Sequence, residues 1–290
     1  MKNLIRSIYY YPVLLILAFA VSSCGGGGGG DSTSAAPTTS QGQFIDSAVE
    51  GLTYTSGSTT GLTDANGNFT YQTGQSVTFS IGDIVLGTVS GTAIVTPVQL
   101  VTGATNETDP SVVNIVQFLI TIDDDHNPAN GIQITPAIRT AAAGLSVDFT
   151  LGATAFDIDS NVSNVVGILT TASSLGNQVL VSNTEAQSHL KDSLFSIIAG
   201  TYSGTFSGTD SGSWTVTVST SGNVSGSGNA ILGGAFTIAG SISSSGAATA
   251  TASGIAGTAI WNGTLDITTG VFTGYWAGGP ENGNYTGSKN

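Results

Sequence analysis

The chain has 290 residues and a formal charge of −13 at pH 7, with 5 basic residues against 18 acidic ones. Only 8% of its residues are charged, well below the ~25% of ordinary globular domains, and Ser, Thr, Asn and 41 glycines carry the polar character instead. Such a balance disfavours nucleic acid and anionic lipid headgroups as partners and suits cations or neutral glycans better. The single cysteine excludes a disulfide within the chain.

In chain order, the first segment reads as an export leader. Lys2 and Arg6 precede an apolar run from Ile8 to Val21, and Ser22-Ser23 lead into Cys24. That is the layout of a secretory signal over residues 1–23. Its apolar run is about 14 residues, short of the roughly 20 that a spanning helix needs. Val21-Ser22-Ser23-Cys24 resembles the lipobox of bacterial lipoproteins. The resemblance implies that the Cys24 sulfur receives diacylglycerol, that the new α-amino group is acylated after cleavage, and that several acyl chains anchor the protein stably. Gly25, in place of the Asp that retains lipoproteins at the inner membrane, implies an outer-membrane address. The alternative is an ordinary signal peptide that happens to contain a cysteine. With the leader removed, Arg139, Lys191 and Lys289 stand against all 18 acids, and no other thiol remains for catalysis or for a cysteine metal site.

Residues 24–41 are expected to hold the lipidated cysteine and a flexible Gly/Ser/Thr-rich linker. The glycine run contains a GxGxxG, but without a preceding strand or following helix it is no nucleotide fingerprint. Residues 25–41 reach roughly 60 Å if fully stretched.

From residue 42 to 108 the pattern is β. Alternating segments occur at 44–54, 62–71 and 76–87, and Asn66-Gly67 predicts a hairpin because both residues tolerate φ > 0. Over roughly residues 43–95 the chain resembles the small β-sandwich modules of the carboxypeptidase-regulatory or Cna-B kind, through its Thr63-Asp64-Ala65-Asn66-Gly67-Asn68-Phe69 turn. The resemblance implies a structural module and transfers no site.

Residues 109–198 are predicted to be mostly helical. Asp109-Pro110 opens a helix that is apolar almost all round to Ile122, and so belongs inside. Further helices are expected at 136–143, 160–171 and from the capping box Ser182–Glu185 to Ile198. Between the first two lies an acidic loop, Asp123-Asp124-Asp125-His126-Asn127-Pro128-Ala129-Asn130. Three carboxylates at a helix C-terminus repel one another and the helix dipole. A calcium ion held by Asp123, Asp125, Asn127 and Asn130 resolves that conflict, with oxygen ligands at alternate positions. The pattern resembles Asp-rich calcium loops of the dockerin or thrombospondin kind, and departs from the EF-hand at Pro128 and Ile134. A solvated acidic turn is the other reading. Asp157 and Asp159 repeat the spacing weakly, where acids at a helix N-terminus are ordinary.

From residue 199 to 290, eight strands recur at roughly ten-residue spacing with glycine turns between them. That rhythm predicts an antiparallel meander closed into a small barrel. Its texture resembles lipocalin- or avidin-style barrels and those of surface-exposed lipoproteins. Tyr275 and Trp276 are adjacent on one strand, so they face opposite ways. The one that points outward is the candidate for stacking on a sugar.

The fold class expected is therefore mainly β with a helical middle: sandwich, helical region, eight-stranded meander or barrel. The expected function is an outer-membrane lipoprotein, attached to the membrane by its lipid, that acts as a binding or adhesion module toward glycans, matrix or other envelope proteins and not toward nucleic acid. A structural or assembly lipoprotein is the alternative. Without a nucleophile elbow or a distinctive carboxylate pair, an enzyme is not expected, and a glycan hydrolase is the remaining catalytic option. The barrel interior discriminates between them: a polar cavity favours a ligand, packed apolar side chains favour a structural role.

Overall fold

A computed structural model describes residues 37–290. The expected leader, Cys24 and the expected linker up to residue 36 lie outside the described residues. The chain is mainly β with a helical middle, as its periodicity predicts.

The N-terminal part comprises β1 (Thr39–Phe44), β2 (Val49–Glu50), β3 (Thr53–Ser56), β4 (Thr59–Leu62), β5 (Asn68–Gln72), β6 (Ser76–Ile81), β7 (Ile84–Ser90) and β8 (Ile94–Val95). They form two small sheets, β5-β1-β8 and β4-β3-β6-β7, while β2 pairs with β9 (Ile132–Gln133). Alternate residues turn inward. Phe44 of the first sheet meets Phe79 of the second at 4.9 Å between centroids, and Phe69 meets Phe79 edge-on at 5.0 Å.

Two boundaries differ from expectation. The linker was expected to run to Gln41, but Thr39–Gln41 already belong to β1 and pair with Thr70–Gln72. Thr-Thr-Ser-Gln is polar on both faces, so its alternation is invisible until a partner strand supplies the register. Asn66-Gly67 was expected to turn a hairpin, but β4 pairs with β3 and β5 with β1, so the turn carries the chain from one sheet to the other. Only Gly67 has positive φ. Asp64 shapes the turn instead, accepting the backbone N–H groups of Asn66 at 2.9 Å and Asn68 at 2.8 Å.

The middle holds α1 (Pro97–Leu100), α2 (Pro110–Thr121), α3 (Pro136–Ala141), α4 (Ala153–Ile158), α5 (Ser160–Thr171) and α6 (Asn183–Ile198). The Asp109 carboxylate caps α2 through the Ser111 N–H, and every residue from Val112 to Thr121 is buried. Its three buried polar side chains are spent mainly on loops. Asn114 donates to the Phe149 and Leu151 carbonyls, Gln117 to the Val181 carbonyl and to Asp157, and Thr121 to its own helix while receiving the Val181 N–H. A buried amide left without partners costs about 1–3 kcal/mol, so these contacts pin the irregular segments 145–151 and 177–181 onto the helix. Asp157 thereby serves Gln117 and Asn183, and Asp159 caps α5 at the Val162 N–H.

Sandwich and helices share one hydrophobic cluster, from Phe44 to Leu194. The sequence division at residue 108 is therefore a change of secondary structure within a common core.

The C-terminal part is a closed antiparallel barrel of β10 (Gly200–Gly208), β11 (Gly212–Val218), β12 (Asn223–Ala230), β13 (Gly234–Ile242), β14 (Ala247–Gly254), β15 (Gly257–Asp266), β16 (Val271–Gly278) and β17 (Glu281–Lys289), with β17 zipped onto β10. Large side chains such as Tyr202, Phe206, Trp214, Trp261, Phe272 and Tyr285 fill the interior. Between them, inward glycines leave room for rings: a Cβ at Gly287 would meet the Trp214 ring, and one at Gly263 or Gly274 the Tyr285 ring. The α6 terminus stoppers one end. Phe195 and Ile198 belong to the barrel core, the Tyr202 hydroxyl donates to the Ile198 carbonyl at 2.6 Å, and the Lys289 ammonium donates to the Ile197 carbonyl at 2.7 Å. Beside them, the buried Ser244 hydroxyl donates to Glu107 at 2.6 Å.

Candidate functional site

The acidic loop comes together as a hydrogen-bonded knot. One Asp123 oxygen accepts the Gln133 N–H at 2.8 Å and the other the Asn127 N–H at 2.9 Å. Asp125 accepts the Asn127 N–H at 3.1 Å and the Asn130 amide at 2.8 Å. All four expected calcium ligands are thus in one loop, with Asp123 buried beneath the others. Burial raises the Asp123 pKa, aided by the Asp125 charge and opposed by the Gln133 and Asn127 N–H groups. Asp125 is held below the ordinary carboxylate range, chiefly by the Asn130 amide. These donors neutralise in place the repulsion that the sequence exposes, and an incoming cation competes with each of them. Among the described residues, no group of three His, Cys, Asp or Glu side chains converges as for a metal ion.

Strand alternation separates Tyr275 from Trp276 as predicted. Trp276 points inward and donates its indole N–H to the Ser207 carbonyl at 3.3 Å. Tyr275 points outward and is 55% exposed, the one exposed aromatic side chain among the described residues. Directly across on either side stand Asn262 of β15 and Asn284 of β17. Side chains so opposed lie roughly 4.5–5.5 Å apart at Cβ. Asn262 is itself fixed by the Thr249 hydroxyl at 3.0 Å. A flat ring is thus framed by two amides, each with donors and acceptors. The rest of the outer face is mostly Ser, Thr and Asn, including Thr201, Thr215, Ser225 and Thr273. It lacks the continuous apolar band of a membrane-spanning barrel, and among the described residues no helix is long and apolar enough to cross a bilayer.

The barrel end away from α6 is open. A cavity of about 100 Å³ lies there, walled by Phe206, Phe236, Trp261 and Trp276 and by small residues, with Asp210 and Glu281 at its edge. Below it the interior is packed, with only about 30 Å³ of space beside Trp214 and Phe272. The hairpin tips around the opening carry Ile231, Leu232 and Ile255, all strongly exposed. This mouth draws residues from strands far apart in sequence, so no local motif announces it.

A fourth feature has no signature in the local sequence, because its two residues lie 143 positions apart. Asp46, at the turn after β1, is fully buried, and neither carboxylate oxygen has a hydrogen-bond donor. The His189 ring of α6 approaches one of them at 3.4 Å. Burial pushes the Asp46 carboxyl up to about 7, against the lowering effect of His189.

Comparison with known proteins adds no identity: no protein-family model matches the chain, and no curated protein is significantly similar to it.

Proposed function

We propose that this chain is a lipid-anchored outer-membrane protein that acts as a binding module for neutral glycans, with Tyr275 and its flanking asparagines as the contact platform. The observation that carries the reading is the single outward aromatic set between two amides on a face almost free of charge. An aromatic ring supplies apolar area for the face of a sugar ring, and amides pair with its hydroxyls. The acidic balance of the chain repels anionic polymers and leaves neutral ones unopposed.

Two measurements test the proposal. Expressed in a bacterium, the full chain is expected to incorporate labelled palmitate and to fractionate with membranes. The Cys24→Ser chain is expected to do neither, and undiminished labelling of that variant contradicts the anchor. On a glycan array, Tyr275→Ala is expected to weaken binding about tenfold or more, equivalent to ~1.4 kcal/mol, with the melting temperature unchanged because the side chain supports no core. Equal binding by both proteins removes Tyr275 from the site.

The structural or assembly role is favoured by a different observation. The barrel interior holds packed aromatic and aliphatic side chains, so it offers no deep chamber of the lipocalin kind. Binding by intact cells to no glycan, in parental and variant strains alike, selects this second reading.

A further inference from the structure

The barrel mouth has a chemistry of its own, separate from the Tyr275 face. Around Phe206, the rings of Phe236, Trp261 and Trp276 stand 5.8, 5.5 and 5.8 Å away between centroids, each at a steep angle of 73°, 69° and 84°. Rings at these separations are packed edge-to-face against Phe206, so they form one aromatic cluster that borders the cavity. The cavity they border, about 100 Å³, is large beside the roughly 10–15 Å³ of such space that one water needs. Ala, Gly and Thr258 line the remainder apart from the two acids, so nothing bulky competes for it.

The edge of this cage is acidic. Asp210 accepts the backbone N–H groups of Ser211, Leu232 and Gly233 at 2.7–3.1 Å, which fixes its carboxylate at the cavity lining. Those N–H bonds outweigh a desolvation that acts the other way and keep the carboxyl below its ordinary range, hence ionised. Glu281 supplies a second carboxylate. The basic side chains of the described residues are elsewhere. Lys289 donates to Ile197 at the stoppered end, Arg139 to the Gly51 and Ile134 carbonyls, and Lys191 lies on α6. No basic side chain of the described residues therefore stands at the mouth, and the N–H groups on Asp210 offset only part of its charge.

An apolar cage alone would select for shape. Aromatic faces combined with an acidic rim select for a soft positive charge, because the ring quadrupole and the carboxylates attract the same ligand. We propose that the barrel mouth is a binding site for a small organic cation of the quaternary-ammonium class. The charged head occupies the cavity against this aromatic cluster, the carboxylates of Asp210 and Glu281 balance it from the rim, and any apolar extension lies along Ile231, Leu232 and Ile255.

The test compares choline with its uncharged carbon isostere, 3,3-dimethyl-1-butanol, on the full-length Cys24→Ser chain, following the three indole N–H resonances by NMR. Choline is expected to shift Trp261 and Trp276 and to spare Trp214. The isostere is expected to bind at least about tenfold more weakly, and added salt to weaken choline by screening the rim. Glu281→Gln, a change at an exposed strand end, is expected to weaken choline severalfold without altering the fold. Tyr275→Ala is expected to leave choline binding unchanged, which separates this site from the glycan platform. Equal affinity for choline and its isostere overturns the cation assignment. Shifts confined to Trp214, or no binding of either probe, overturn the mouth as a site.

Discussion

Replacing Gly283 by alanine is expected to destabilise the barrel by at least about 3 kcal/mol, the upper range for forcing one extra group into a packed interior. Gly283 lies on β17, and a Cβ built there falls onto the Ser207 carbonyl of β10 and 2.6 Å from the Trp276 indole nitrogen. That same carbonyl receives the Trp276 N–H. The methyl group therefore cannot be absorbed by a side chain swinging aside: backbone must move, at the seam where the first and last strands meet. Near-ultraviolet dichroism of the tryptophans and a urea titration check it. The control is Gly152→Ala, which introduces a methyl into open space before α4 and is expected to cost less than about 1 kcal/mol. A Gly283→Ala chain as stable as the parent shows that the seam is looser than its contacts imply.

The second large effect concerns pH. Asp46 in the folded chain releases its proton only near 7, whereas the ordinary value is 3.8. Between these values the folded state binds more protons than the unfolded one, so stability falls as pH rises through that window and stays low above it. Asp46→Asn keeps the shape and removes the buried charge. It is expected to leave stability at pH 4 unchanged and to raise it at pH 8 by on the order of 2–4 kcal/mol, at about 1.4 kcal/mol per pKa unit, or about 5–10 °C in Tm. His189→Ala is expected to act oppositely above neutrality, because it removes the group nearest the buried carboxylate. Parallel pH–stability curves for the parent and Asp46→Asn contradict the assignment.

Much of the fold is legible in the amino-acid sequence because it is locally encoded. The eight-strand rhythm, the buried helix after Pro110 and the helices at 160–171 and 183–198 all rest on periodicity and caps that lie within a few residues of each other. The direction of Tyr275 is also encoded, though in a subtler place. On β16, Gly274 and Gly278 share the parity of Trp276, and inside this barrel glycines accompany the inward aromatics. Reading small–large alternation along the inner face therefore assigns Trp276 inward and Tyr275 outward. What local pattern does not carry is partnership. The crossing of Asn66-Gly67 between sheets, the N–H donors that settle the acidic loop, the Asp46–His189 approach and the mouth cage each depend on residues distant in sequence, and no spacing rule brings them together.

The pairing of β17 with β10 has a consequence for the order of events in the cell. Position 208 waits for position 283, and the barrel closes only when residues 281–289 arrive to fill the gap. Contacts of such sequence separation form late and slowly. A nascent chain that lacks its last strand stays open and threadable. Under the export proposed above, which requires an unfolded chain, the closing strand works as a timer.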